Sequence, residues 1–193
     1  MSKFVETYNT LKQRLAPYRE IILFMVVLLA SNYLWKYTVI GEETGGRVTW
    51  FGLDITAPFD IMAEHIACVS AWITSLFRPT VHYLPPYVIR WDSGSAVKIV
   101  WACTAIKQSF IWLCLIAAAQ GSWRRKAWFI PLGWLCIYAF NILRITIIGF
   151  FIEFHPDWFD LLHTYIFKYL FYGMMFLLWV WWEEKISIKD TCQ

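Results

Sequence analysis

The chain has 193 residues, of which 59% are hydrophobic, 20% aromatic and only 16% charged, and its formal net charge is +3. A soluble domain carries charge on about a quarter of its residues, so this composition excludes an ordinary water-facing surface. The basic residues are scattered or gathered beside apolar blocks, which excludes the basic patch of a nucleic-acid partner.

The apolar residues come in blocks of about 20, the length of helix that crosses about 30 Å of hydrocarbon. The fold class is therefore an all-α integral membrane protein. About four to five membrane-embedded helices are expected in a single multi-pass domain over residues 1–193, with a small external β-hairpin before the helix that carries Cys103.

In chain order, residues 1–20 place Phe4, Tyr8, Leu11 and Leu15 at helical spacing among mixed charges, the pattern of an amphipathic surface segment. Residues 21–40 make a first spanning helix. It reads as a retained anchor, because its apolar run is long and no small-residue cleavage site follows. The basic flank before it favours a cytoplasmic N-terminus. Residues 41–58, with Gly45, Gly46, Gly52 and a β-like run at 48–51, form an external loop. Residues 59–77 are apolar and helical, but Asp60, Glu64 and His65 interrupt their first half, and Pro79, Pro85 and Pro86 follow. Residues 87–100 predict a hairpin turning at Asp92-Ser93-Gly94-Ser95.

Residues 101–120 form the next span, with Lys107 its only charge. The basic loop at 121–126, flanked by Trp123 and Trp128, belongs in the cytoplasm. Residues 129–152 span again around Arg144, residues 153–162 form a short polar loop containing His155, and residues 163–182 form the last span. A cytoplasmic N-terminus and a cytoplasmic basic loop together require that residues 59–77 do not cross. Their acidic first half and proline-rich end favour a re-entrant or interfacial helix; the rival is a full span with the N-terminus outside.

The five cysteines, Cys68, Cys103, Cys114, Cys136 and Cys192, form no CxxC pair, so no metal site, cofactor or disulfide framework is expected. Arg144 is the strongest single signal, since an arginine inside a spanning helix costs about 2.5 to 3.5 kcal/mol on insertion scales. Asn141 precedes it by three residues on the same face. Counted from the outer end of its helix, Arg144 lies about 12 Å deep at 1.5 Å per residue.

Cys103 falls in VKIVWACTAIKQ, residues 97–108, where a strand pattern gives way to a helix. A thiol near a helix N-terminus, with Lys107 one turn on, is placed to become a thiolate. The plain alternative is a small buried hydrophobe, as for Cys68, Cys114 and Cys136. His163, at the start of the last helix, is a candidate general base on the same outer side. His155 in the preceding loop is its rival, while His65 and His82 read as a polar helix face and a loop residue.

At these residues the chain resembles the exosortase/archaeosortase family, particularly its short bacterial forms. ACTAI after an external hairpin, the basic loop, NILRI within the next helix and HTYIFKYLFYG opening the last carry the likeness. The resemblance implies a cysteine transpeptidase or endopeptidase in the cytoplasmic (inner) membrane with its site facing outside. Cys103, Arg144 and His163 match the family's cysteine, arginine and histidine; Asn141, Lys107 and Thr104 are supporting or substrate-binding candidates. The implied partners are exported proteins with a C-terminal sorting signal (a short motif, a hydrophobic helix and a basic end), membrane lipid, and a lipid- or glycan-linked acceptor. The chain departs from the family where a small or polar residue and then glycine usually follow the cysteine. Here Thr104 and Ala105 stand, and the missing glycine changes how closely a substrate backbone approaches.

Two other functions compete. A scaffold subunit of an envelope protein or polysaccharide export system would use Arg144, His163 and Lys107 as a structural polar network. A transporter would use Lys107, Arg144 and Lys168 to attract an anion, against which stand the few spans and the lack of an inverted repeat. Selective labelling of Cys103, faster than Cys114 and with a pH profile below that of a free thiol, separates the enzyme from the scaffold.

Overall fold

The computed structural model describes residues 18–41 and 47–187. Apart from Tyr18, Arg19 and Glu20, the amphipathic segment expected at residues 1–20 lies outside the described residues, as do Gly45, Gly46 and Cys192.

Helix α1 (Arg19–Thr38) is apolar almost throughout and buries only Phe24, Ser31 and Trp35. Its exposed Ile21, Ile22, Met25, Val26 and Leu29 form an apolar surface too extensive for water. Three described helical stretches are long and apolar enough to cross a membrane: Arg19–Thr38, Trp123–Ile152 and Pro156–Ile186; Ile106–Ala118 is apolar but shorter.

After α1 the chain forms a small antiparallel sheet, β1 (Val39–Ile40), β2 (Thr49–Trp50) and β3 (Leu53–Asp54). Phe51 and Gly52, both at positive φ, make the two-residue turn between β2 and β3, as a type I′ connection requires. Helix α2 (Thr56–Phe77) follows as one continuous helix and is not among the long apolar stretches.

The start of α2 lies beside the end of α1, and its end lies beside the end of α4 (Trp123–Ile152). Its first turn is tied back by the Val48 amide donating to Thr56 Oγ1 at 2.9 Å, and Phe59 packs on Trp35. His65 Nε2 is 2.9 Å from the Tyr138 hydroxyl. At the other end Phe77 packs on Phe150, and Arg78 approaches Glu153 at 3.9 Å and lies over the Phe154 ring. The helix thus climbs alongside the later half of α4.

A second sheet joins β4 (Val81–Leu84), β5 (Val88–Trp91) and β6 (Ala96–Lys98), all antiparallel. The expected hairpin is β5–β6, with Ile89 opposite Val97 and Gly94 at φ 92° in its turn. β4 is a third strand that the surrounding prolines concealed. Trp91, buried, meets α4 at Gly149, where an added Cβ would come within 3.1 Å of the indole.

The remaining helices are α3 (Ile106–Ala118), α4 (Trp123–Ile152) and α5 (Phe167–Trp181). The expected span at 101–120 is therefore shorter: residues Trp101–Thr104 form a separate 3-10 turn. α4 begins six residues earlier than expected. A π-helical turn, Leu161–Ile166, leads into α5 and carries His163.

Polar contacts fix one end of the bundle. Gln120 Nε2 donates to Glu20 Oε1 at 3.0 Å, Trp182 Nε1 donates to the Gln120 carbonyl at 2.9 Å, and Arg125 donates to the Ile186 carbonyl. The starts of α1 and α4 and the ends of α3 and α5 therefore share this end, with Arg19, Arg124, Arg125 and Lys126; it is termed the basic end. The core near it is aromatic and aliphatic: Phe24, Trp112, Phe129, Ile137, Met175, Trp179 and Trp182. A second core, including Trp35, Phe59, Ile66, Trp91, Trp101 and Cys103, fills the far end between α2, the sheets and α4.

Candidate active site

The site lies in the far half, where the Trp101–Thr104 turn is pressed against α4. The Cys103 amide closes the turn on the Val100 carbonyl at 2.8 Å. Thr104 Oγ1 donates to the Trp101 carbonyl at 2.6 Å and lies 3.5 Å from the Ile106 amide. Thr104 thus shapes the turn and serves the start of α3. Ala105 then adopts φ 60°, ψ 14°, the left-handed region. A glycine, which the family resemblance implies at this position, would suit it, because an L-residue with a Cβ is disfavoured there by about 1–2 kcal/mol.

This kink corrects the sequence expectation for Cys103. The cysteine precedes the helix, in the Trp101–Thr104 turn, instead of sitting in its first turn. The thiol is buried, 8% exposed. Burial pushes it above its ordinary value, with the nearby Arg144 charge working in the opposite direction. A pH profile below that of a free thiol is therefore not expected of the unliganded protein. Lys107 is also not one helical turn from Cys103 on a continuous helix; it reaches the site from the start of α3.

Three elements converge on the turn. From α4, Asn141 Nδ2 donates to the Cys103 carbonyl at 2.7 Å, which pins the backbone of the cysteine. One turn on, Arg144 is buried, and its Nε has no hydrogen-bond partner. From the π-helical turn, His163 brings Nε2 to 3.8 Å from Cys103 Sγ, within reach of a thiol hydrogen bond. The Phe159 ring stacks on the imidazole, 5.0 Å between centroids and 15° between planes. His155 instead stacks on Trp158 in the loop.

Arg144, His163 and Lys107 share a cavity of about 330 Å³ beside Ala102, together with Gln108 and Lys168. Asp60 is the supporting residue that sequence reasoning missed. Its Oδ1 accepts from Trp101 Nε1 at 2.7 Å and from the Tyr87 hydroxyl at 3.0 Å, tying α2 and the turn before β5 to the first residue of the cysteine turn. The available signal was a carboxylate in an apolar helix, which requires a partner. Among the described residues, no group of His, Cys, Asp and Glu is arranged to hold a metal ion.

A thiol and an imidazole in contact, with a buried guanidinium opening into the same space, thus sit in a helical fold that carries three stretches long and apolar enough to cross a membrane. The family model described as Transmembrane exosortase matches residues 21–181, and the chain belongs to that family. Neither a curated protein nor a solved structure gives a significant match.

Proposed function

We propose that this exosortase is a cysteine transpeptidase or endopeptidase that processes the C-terminal sorting tails of exported proteins. The observation that carries the reading is the Cys103–His163 contact at 3.8 Å at the edge of the cavity that Arg144 lines. Burial disfavours a free Cys103 thiolate, so the proton leaves when a base takes it during attack. His163 Nε2 accepts that proton while Cys103 Sγ bonds to a backbone carbonyl carbon of the tail. Arg144 stabilises the oxyanion, which a low-dielectric site makes more effective than in water. Collapse breaks the C–N bond, and the proton passes from His163 to the leaving amine. The thioester then transfers to an acceptor amine or hydroxyl, whose proton returns through His163 to restore the thiol, or is lost to water.

The reading places the basic end in the cytoplasm by the positive-inside trend, and the site at the outer face of the cytoplasmic membrane. On this reading α2, which starts beside the end of α1 and runs along the later half of α4, lies towards the outside. In cells, Cys103→Ala should make a full-length, tail-bearing substrate accumulate in the membrane. Normal C-termini on envelope proteins in that strain would end the nucleophile reading.

A further inference from the structure

The charge of the cavity beside Cys103 is one-sided. Lys107, Arg144 and Lys168 line it together with Gln108, Thr164 and Tyr172, and no carboxylate lines it. None of the three cations takes part in an ion pair among the described residues. Arg144 is more than nine-tenths buried with its Nε unpartnered. A buried cation normally acquires a counter-charge or complete hydrogen bonding, and among the described residues Arg144 has no ion-pair partner. An anion supplied from outside the chain would satisfy it.

The position of the cavity narrows the choice. Arg144 stands 21 residues along α4 from Trp123, about 32 Å at 1.5 Å per residue. That is roughly one hydrocarbon thickness from the basic end, the level of the opposite headgroups. Lys168 is exposed on α5 among Tyr165, Tyr169 and Leu170, which are also exposed, so the cationic wall opens towards lipid. Two lysines act as point charges on phosphate oxygens, and a guanidinium offers a fork. A phosphodiester presents two charged oxygens, as a carboxylate does, and it is the anionic group that phospholipids carry at that level of a bilayer.

We infer that the Lys107–Arg144–Lys168 cavity binds the phosphate of a phospholipid headgroup from the leaflet opposite the basic end. The inference deepens the peptidase reading by naming what occupies the cationic part of the same cavity. It is tested without thiol chemistry, so the two can fail separately.

The experiment uses full-length Cys103→Ala protein, purified in detergent and stripped of lipid, titrated with dihexanoyl phosphatidylglycerol while the thermal midpoint is followed. The expected result is saturable stabilisation, weakened roughly 10- to 30-fold by the Lys107→Gln/Lys168→Gln pair and kept by Lys107→Arg/Lys168→Arg. Inorganic phosphate should compete weakly, and dihexanoylglycerol, which lacks the phosphate, should not stabilise. Equal titration of the Gln pair, or equal stabilisation by dihexanoylglycerol, would overturn the assignment. Inorganic phosphate binding as tightly as the phospholipid would overturn the lipid source in favour of free phosphate. Lysine-dependent binding of a glutamate-bearing peptide, with none of the phospholipid, would overturn it in favour of the exported substrate.

Discussion

The two ends of the helical bundle are built on opposite rules. Near the basic end, polar side chains close the gaps left by helix termini: Lys126 donates to the carbonyls of Ala117 and Ala119 at the end of α3, and Trp112 Nε1 donates to the Ile130 carbonyl at 3.2 Å. Around these bonds the core is tight; a Cβ on Gly133 would fall 2.0 Å from Trp112 Nε1. In the far half, successive turns of α4 bury Asn141 Oδ1, Arg144 Nε and Thr146 Oγ1 without partners. Buried oxygens of Glu20 and Glu183 near the basic end also lack partners, but Arg144 and Gln108 are the unpartnered groups that border the cavity beside Cys103, where a reacting or bound molecule can complete them.

Substitutions should therefore separate activity from stability by location. The largest effect is expected for Cys103→Ala and His163→Ala, each lowering tail processing on the order of 10³-fold while the thermal midpoint stays near that of the parent. Arg144→Gln should lower turnover by about 10²-fold. It should not destabilise the fold, because it removes a buried, unpartnered cation; a collapse in midpoint would make Arg144 structural and blur the contrast between the halves. Gly133→Ala should do the reverse, destabilising by about 2 kcal/mol through overpacking against Trp112. Processing per folded molecule should be unchanged. Ala105→Gly should stabilise by about 1 kcal/mol by relieving the left-handed φ, measured by chemical denaturation in detergent.

The last test concerns the thiol itself. Because burial raises the Cys103 thiol above its ordinary value, it stays protonated as pH rises through the normal thiol range. Alkylation of the unliganded protein should accelerate only at higher pH than for a free cysteine. A midpoint below the free-thiol value would show that the thiolate is preformed.

Much of this contrast could be read from the chain. The apolar blocks fix α1 and α4, and alternation about Asp92-Ser93-Gly94-Ser95 fixes the β5–β6 hairpin. The likeness around Cys103, Arg144 and His163 selected three residues that the fold gathers at one site, although they come from three separate elements. The failures are local and have physical causes. ACTAI contains no helix breaker, so the kink at Ala105, where tertiary packing overrides propensity, was invisible and Cys103 was placed inside a helix. The π-helical register at His163 has no composition signature. Asp60 looked like an interruption of an apolar helix, because its partners Tyr87 and Trp101 are far along the chain. The depth of Arg144 was counted from the outer end of its helix, whereas α4 extends well beyond what a bilayer requires.

That excess length has a consequence of its own. α4 runs for 30 residues, about 45 Å, against about 30 Å of hydrocarbon, and Trp91, Phe77 and Arg78 fasten the second sheet and the end of α2 to its final turns. The helix acts as a post, and the cysteine turn is held at a set height on it by Asn141. Under the proposed function, a tail that enters the bilayer through its own hydrophobic helix would be measured against that height, so lengthening or shortening the spacing between its helix and its scissile bond should change whether it is cut.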